Sequence, residues 1–187
     1  MNDKKTLIMD AAIRLFAEDG VGVPTAKIAK EAGVSNGTLF NYFESKQILI
    51  EGVCLYVIER MAHEIIGDFD PDADIKEMFS HSWRAYIRWA QNNPLEHKVL
   101  GLLKYSQILG EETEQKIDSF FEPFNKATER AVKDKIMIDI PLELMSRMAC
   151  AYMDAVIAYI REYKLNKSEI TDIIEKSFQM HWKGISV

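Results

Sequence analysis

The chain of 187 residues is long enough for one large or two small domains, and its hydrophobic fraction of 48% allows a sizeable core. Its formal charge of −6 argues against a protein that coats nucleic acid indiscriminately, because non-specific binding scales with the number of phosphates neutralised. No run approaches the roughly twenty apolar residues that a membrane span needs, and the N-terminal sequence lacks the apolar core of a signal peptide, so the cytoplasm is the expected location.

The acidic residues are distributed unevenly along the chain. Residues 1–50 carry six Lys or Arg and six Asp or Glu, whereas the remainder carries seventeen and twenty-three. The first fifty residues are therefore neutral overall, and their lysines can still form a local positive rim. We expect modest affinity for nucleic acid that depends on a few placed contacts.

The N-terminal part of the chain predicts three helices, of which the second and third are short and joined by a tight turn. Apolar spacing over residues 4–19 predicts a helix that Gly20 ends. A second helix is expected to begin at Thr25, whose side chain is placed to cap it. Gly33 supplies the left-handed conformation that ends this helix, and Ser35 is positioned to cap the next. This pattern predicts a helix-turn-helix.

The outward face of the third helix carries groups suited to a DNA groove. Asn makes bidentate contacts with adenine in the major groove, Thr offers its methyl group to thymine, and hydroxyls reach phosphates. Polarity alone would favour a solvated helix face, but polarity after an A-x-x-x-G-V-S turn favours DNA recognition. The predicted DNA-binding residues are Thr25, Lys27, Ser35, Asn36, Gly37, Thr38, Phe40, Asn41, Tyr42 and Lys46.

At these residues the chain resembles the TetR family of bacterial transcriptional regulators. The resemblance covers the first fifty residues well and is only architectural beyond them. Where the family commonly has a Tyr that contacts DNA, this chain has Phe40, which lacks a hydroxyl for a phosphate but can still stack on a sugar or a thymine methyl. The family pattern is present, in order and without gaps, as Phe16, Gly20, Thr25, Ile28-Ala29, Ala32-Gly33-Val34-Ser35, Gly37, Leu39, Phe43, Lys46 and Leu49.

The resemblance implies an all-α fold of about nine helices. An N-terminal three-helix helix-turn-helix domain, residues 1–46, would precede a helical effector-binding and dimerisation bundle, residues 47–187. The implied function is a ligand-responsive transcriptional regulator, commonly a repressor, that binds a palindromic operator as a homodimer and is released by a small effector.

The rest of the chain shows further helical patterns. They cover residues 46–66, 74–92, 95–109, 111–136, 141–163 and 168–185. Pro123 predicts a kink or irregularity within the fourth of these segments, residues 111–136. Residues 67–74 resemble the start of a calcium loop, but Ala73 replaces the required Gly, so we predict a connection between helices and no metal site.

Apolar and aromatic stripes on the later helices are candidates for an effector pocket, although most such residues are ordinary core. Their composition favours an apolar or aromatic effector, with Tyr86, Lys104, Asn125 and Tyr152 as candidate polar anchors. The predicted ligand-binding residues are Val57, Met61, Met78, Ser82, Trp83, Tyr86, Leu103, Phe120, Phe121, Phe124, Met148 and Tyr152.

The last two helical segments predict a homodimer. Residues 141–163 are apolar nearly all round, which is typical of a helix covered on both sides, and the final helix carries a single apolar stripe. Pairing both helices with their copies in a four-helix bundle would cover them, while the alternative buries the final helix within its own subunit. The predicted interface residues are Ala149, Met153, Val156, Ile157, Ile170, Ile173, Ile174, Phe178 and Trp182.

Other functions find less support in the sequence. We find no G-x-S-x-G, P-loop or H-E-x-x-H motif, and the four histidines are scattered, so an enzyme is not expected. Cys54 and Cys150 lie in apolar helical stretches without metal spacing, which favours small buried hydrophobes over a disulfide or thiol sensor; no cofactor is predicted. The main alternative is an all-helical protein-interaction module, which would not need the polar surface of the third helix.

Overall fold

The computed structural model describes residues 3–66, 74–103 and 108–187. Nine α-helices lie in this part of the chain, which confirms the predicted all-α class. Their bounds are α1 Lys4–Asp19, α2 Thr25–Glu31, α3 Asn36–Tyr42, α4 Lys46–Ile66, α5 Ile75–Asn92, α6 Pro94–Leu103, α7 Glu111–Lys133, α8 Leu142–Tyr163 and α9 Lys167–Ile185.

Most helix ends lie within a residue or two of the predicted positions, with two exceptions. The helix predicted over residues 95–109 is described over Pro94–Leu103, and residues 108 and 109 are not helical. The helix predicted to reach residue 136 ends at Lys133. The second difference has a local cause, because Lys135 adopts a positive φ of 58° that an α-helix cannot include. The calcium-like segment lies outside the described residues except for Asp74, whose Oδ1 caps α5 by accepting from the amides of residues 76 and 77.

The chain forms two compact units, and each is discontinuous in sequence. One unit comprises Met1–Arg60 and Asn93–Ser119, and the other comprises Met61–Asn92 and Phe120–Val187. Helices α4 and α7 therefore each contribute residues to both units. The boundary predicted after residue 46 separates two functions rather than two compact units, and it stays a prediction.

The first unit is built around α1. Helices α2, α3 and α6 all pack against it. Its apolar spacing buries one long face completely, and the aromatic ring of Phe16 is fully inaccessible to solvent. The fully buried large side chains of this unit are Ile8, Phe16, Ile28, Leu39, Leu49, Val53, Val57 and Leu103.

The segment between α6 and α7 is hydrogen-bonded to the beginning of α4 within the same unit. Gln47 Nε2 donates to the carbonyl of Ile108 at 2.5 Å, and the amide of Gly110 donates to Glu51 Oε1 at 3.1 Å. Gln47 Nε2 also lies 2.8 Å from the same Glu51 oxygen. These bonds fix residues 108–110 beside the first two turns of α4.

The second unit packs α5 against α8 and α9. Trp83 Nε1 in α5 donates to Ser177 Oγ in α9 at 3.0 Å, and Arg161 in α8 donates to the carbonyl of Ala90 at 2.7 Å. Because buried indole and carbonyl groups need partners, these bonds fix how the three helices meet.

A short backbone pairing holds the end of α9 against the segment that follows α7. Met137 and Ser186 form an antiparallel bridge. The amide of Ile138 donates to the carbonyl of Ile185 at 2.9 Å, and the amide of Val187 donates to the carbonyl of Ile136 at 3.0 Å. Met137 is almost fully buried beneath this pairing.

Replacing each of two phenylalanines by alanine tests which of the two rings belongs to the core of the first unit. Phe16→Ala should lower the free energy of unfolding by about 3 to 5 kcal/mol, because it removes a fully buried ring and leaves a cavity. Phe40→Ala makes the same change at a site that is 38% exposed and should cost less than about 1 kcal/mol. Urea unfolding followed by circular dichroism measures both, and equal losses would contradict this packing.

Candidate nucleic-acid interface

Helix α2 begins without the side-chain cap that the sequence predicted. Thr25 is the first helical residue, and the N-cap position is held by Pro24, with no side-chain cap hydrogen bond. The predicted capping role of Thr25 is therefore wrong, because an N-cap residue must lie outside the helical dihedrals and Thr25 lies within the helix. Its side chain remains half-buried at the start of α2.

The turn after α2 has the predicted geometry. Gly33 has φ of +67°, in the left-handed region where a residue with Cβ is strained. The amide of Val34 donates to the carbonyl of Ala29 at 2.9 Å, and the amide of Gly33 donates to the carbonyl of Lys30 at 3.1 Å. These bonds satisfy carbonyl groups at the end of α2 and reverse the chain within two residues.

Helix α3 begins with the predicted cap. Ser35 Oγ accepts from the amide of Thr38 at 3.0 Å and shares a hydrogen bond with Thr38 Oγ1 at 2.9 Å. Leu39 and Phe43 are buried, and they hold one side of the helix against the unit. Because α3 has only two turns, this anchoring determines which side chains face solvent.

The structure leaves every predicted DNA-binding residue accessible. Lys27, Ser35, Asn36, Gly37, Phe40, Asn41 and Tyr42 are exposed, and Thr25, Thr38 and Lys46 are half-buried. The residues from Asn36 to Tyr42 are brought together on α3, and Lys46 lies in the first turn of α4. The α4 terminus is capped as predicted, since the amide of Ile48 donates to Ser45 Oγ at 3.2 Å.

Two ion pairs join α1 and α2 beside this surface. Lys27 Nζ lies 2.6 Å from Asp19 Oδ2, and Arg14 lies 3.4 Å from Glu31 Oε1. The hydrogen bond to the Asp19 carboxylate, followed by its charge, raises the pKa of Lys27. All four side chains are near half exposure, so these pairs contribute little to stability.

A capped two-turn helix held against a preceding helix by a glycine turn, with a polar outer face, defines the class of helix-turn-helix DNA-binding proteins. Residues 8–53 match the family described as bacterial regulatory proteins, tetR family. The match places residues 8–53 in this family's N-terminal region, as the sequence resemblance implied.

Similar proteins support this assignment over different lengths. The crystal structure of a putative tetR family transcription regulator from Shewanella sp. PV-4 has a TM-score of 0.89 and 27% identity, and the alignment covers 100% of both chains. The nucleoid occlusion factor SlmA of Shewanella woodyi is 28% identical over 111 residues, or 59% of this chain and 55% of that protein. An uncharacterised helix-turn-helix transcriptional regulator of Haemophilus influenzae is 32% identical over 103 residues, 54% of each. The chain thus spans about half the length of these two curated relatives.

The predicted ligand-binding residues fall into both compact units. Val57 and Leu103 are core residues of the first, while Met61, Met78 and Trp83 are buried in the second. Ser82, Tyr86, Phe120, Phe121, Phe124 and Tyr152 are half-buried in the second unit.

The candidate polar anchors differ in what they contact. The ring of Tyr152 lies 5.4 Å from that of Trp83, edge on, and Tyr86 donates its hydroxyl to Asp154 at 3.1 Å. Asn125 is half-buried, whereas Lys104 lies outside the described residues. Met148 was predicted to line the pocket, but it is 57% exposed and does not belong to an interior pocket of this chain.

His181 belongs to the same aromatic cluster, although it was not among the predicted ligand-binding residues. Its ring stacks on Trp83 at 4.8 Å and meets Tyr152 edge on at 6.1 Å. His181 is 9% exposed, and among the described residues its Nε2 has no hydrogen-bond partner. Burial lowers the pKa of this imidazole. The helical spacing of Ile174, Phe178 and His181 was the signal that could have identified it.

The predicted dimer interface needs revision. Val156, Ile157, Ile174, Phe178 and Trp182 are buried by their own chain, so they have little area left for a partner. Ala149, Met153, Ile170 and Ile173 are half-buried. The apolar stripe of α8 that is exposed consists of Leu144, Met148, Ala151, Ala155 and Tyr159.

The described part of the chain offers neither a metal cluster nor a membrane span. No three His, Cys, Asp or Glu side chains within it are grouped as metal ligands, and no helix within it is both long and apolar enough to cross a bilayer. Cys54 is buried, and burial together with the charge of Glu51 raises the pKa of its thiol to about 12. A thiol with that pKa is a poor nucleophile at neutral pH.

The environment of His181 predicts a dependence of stability on pH. The unfolded chain binds a proton at this imidazole near the ordinary pKa of 6.5, but the folded chain does so only at lower pH. The unfolded state then holds more protons, so the free energy of unfolding should fall as the pH drops below about 6.5.

Chemical denaturation between about pH 7.5 and about pH 5 tests this prediction. His181→Phe keeps an aromatic ring and should flatten the dependence, whereas His63→Phe at an exposed site should retain it. Identical pH profiles for wild type and His181→Phe would contradict the prediction, because they would show that folding does not change the pKa of His181.

Proposed function

We propose that this protein is a ligand-responsive transcriptional repressor that binds an inverted-repeat operator as a homodimer. The observation that carries the proposal is the exposed polar face of α3, held outward by the buried side chains of Leu39 and Phe43 and the Ser35 cap. The family match over residues 8–53 supports regulation of transcription. Operator symmetry, the dimer and the effector extend the proposal beyond that family assignment.

In the proposed complex α3 enters the major groove. Asn36, Thr38 and Asn41 present amide and hydroxyl groups that can hydrogen-bond base edges or phosphates. Phe40 is 38% exposed and can stack on a sugar or contact a thymine methyl. Lys27 and Lys46 are the cations of the surface, of which Lys27 is paired with Asp19, and Tyr42 offers a hydroxyl to the DNA backbone.

The proposed dimer forms through α8 and α9. The exposed stripe on α8 repeats at intervals of four, three, four and four residues, which places it along one side of the helix. Ala151 and Ala155 in this stripe are small and allow helices to approach closely. Two recognition helices in such a dimer must lie about 34 Å apart to enter successive major grooves.

We place the effector in the bundle of residues 47–187, with the aromatic cluster of the second unit as its favoured site. Trp83, Tyr152 and Phe124 give an apolar and aromatic surface, which suits an effector of the same character. An effector that favours one separation of the recognition helices would lower DNA affinity, and DNA would lower effector affinity equally.

Fluorescence anisotropy with tiled duplexes from the region upstream of the protein's own gene tests the proposal. Tight, salt-sensitive binding to one short inverted repeat supports a dimeric regulator. Absence of binding to any duplex, specific or not, would favour the alternative of an all-helical protein-interaction module.

Replacement of Asn36 tests base recognition. Asn36→Ala should weaken binding to the operator by about 1 to 3 kcal/mol per half-site and relax the preference at one base pair, because a bidentate base contact is lost. Competition with single-base operator variants measures the preference, and thermal unfolding controls for the fold. A loss of equal size on every duplex would assign Asn36 to the phosphate backbone instead.

Replacement of Met148 tests the dimer. Met148→Glu places a charge in the middle of the exposed α8 stripe and should shift the dimer towards monomer at least tenfold, because a buried unpaired charge costs more than about 1.4 kcal/mol. Ser146→Glu introduces the same charge at another exposed position, about 200° around the helix. Sedimentation equilibrium compares the two, and a dimer that tolerates Met148→Glu but not Ser146→Glu would place the interface elsewhere.

A further inference from the structure

The cation that begins the proposed DNA interface is already held by a carboxylate of the same chain. Lys27 lies in the first turn of α2, and its Nζ is 2.6 Å from Oδ2 of Asp19, the last residue of α1. The Lys27 side chain is 54% exposed and that of Asp19 is 45% exposed. The pair therefore sits at the surface, where a phosphate could compete with the carboxylate.

Asp19 opposes a phosphate contact in two ways. It occupies the hydrogen-bonding ammonium group of Lys27, and its own negative charge repels an approaching phosphate. A lysine that stays paired with a carboxylate releases no counterion from DNA, whereas a lysine that neutralises a phosphate adds about 0.9 to the salt dependence of binding. The difference between these two situations can be measured.

The balance of charge in this region makes one lysine important. Residues 1–50 are neutral overall, and Arg14, the cation of the other ion pair between α1 and α2, is held by Glu31. Of the ten predicted DNA-binding residues only Lys27 and Lys46 are cationic. Whether Lys27 contacts a phosphate therefore changes a large share of the sequence-independent attraction that these ten residues supply.

We propose that Asp19 limits DNA affinity by keeping Lys27 away from the phosphate backbone, so that contacts with base edges decide where the protein binds. This inference rests on the proposed function, because it assigns a role to Asp19 at the same interface. Weak backbone attraction lowers binding to unrelated DNA, and the ratio of specific to non-specific affinity rises accordingly.

Two neighbouring substitutions separate this role from a general effect of charge. Asp19→Asn removes the carboxylate that is hydrogen-bonded to Lys27. Glu18→Gln removes the same charge from the preceding exposed residue, which acts on Lys27 through its charge alone and more weakly than Asp19. Both variants gain one unit of positive charge. The probe is a fluorescein-labelled mixed-sequence duplex, because phosphate contacts do not depend on sequence. Anisotropy is recorded over a series of salt concentrations that starts low.

Asp19→Asn should bind the duplex about two- to fivefold more tightly per subunit than wild type, the range that surface ion pairs of this kind represent. Its plot of log affinity against log salt should be steeper by about 0.9 per subunit. Glu18→Gln should show a smaller gain with the wild-type slope. Adding Lys27→Gln to Asp19→Asn should return the slope to the wild-type value.

Equal effects of Asp19→Asn and Glu18→Gln would overturn the inference, as would a steeper slope that persists after Lys27→Gln. Failure of wild type and all variants to bind the duplex at the lowest salt would refute the proposed function itself. Thermal unfolding confirms that each variant folds, and Asp19→Ser repeats the test if Asp19→Asn is unstable.

Discussion

The orientation of α3 depends on the left-handed backbone of Gly33. A φ of +67° at this position reverses the chain immediately after α2, and the amide of Val34 returns to the carbonyl of Ala29. A residue with Cβ would strain this conformation. Because α3 has only seven residues, this turn and the burial of Leu39 together set its direction. The recognition surface therefore depends on a turn that makes no base contact itself.

Local signals explain why so much of the first unit could be predicted from the sequence. The bounds of α3 follow from the Ser35 cap, and the beginning of α4 follows from Ser45. The error at Thr25 is also local, because Pro24 occupies the N-cap position and provides no side-chain acceptor. Caps and turns act over three or four residues, which is the distance over which sequence patterns are most informative.

The remaining differences concern packing between segments far apart in sequence. Periodicity shows that one side of a helix is apolar, but it does not show which neighbour covers that side. Phe178 and Trp182 were predicted to contact a partner subunit, but both are buried by their own chain, in which α5 and α8 pack against α9. The role of His181 in the aromatic cluster and the packing of α6 on α1 were missed for the same reason.

The interleaving of the two units determines the order in which the protein can fold during synthesis. The helix-turn-helix leaves the ribosome early, but α1 lacks one of its packing partners until α6 has been made. Helix α5 remains without its packing partners for longer, because α8 and α9 are translated after α6 and α7. Its apolar side is exposed during that interval, which is when chaperones bind nascent chains and when aggregation begins. The first unit can thus be complete while the second still has an exposed hydrophobic helix.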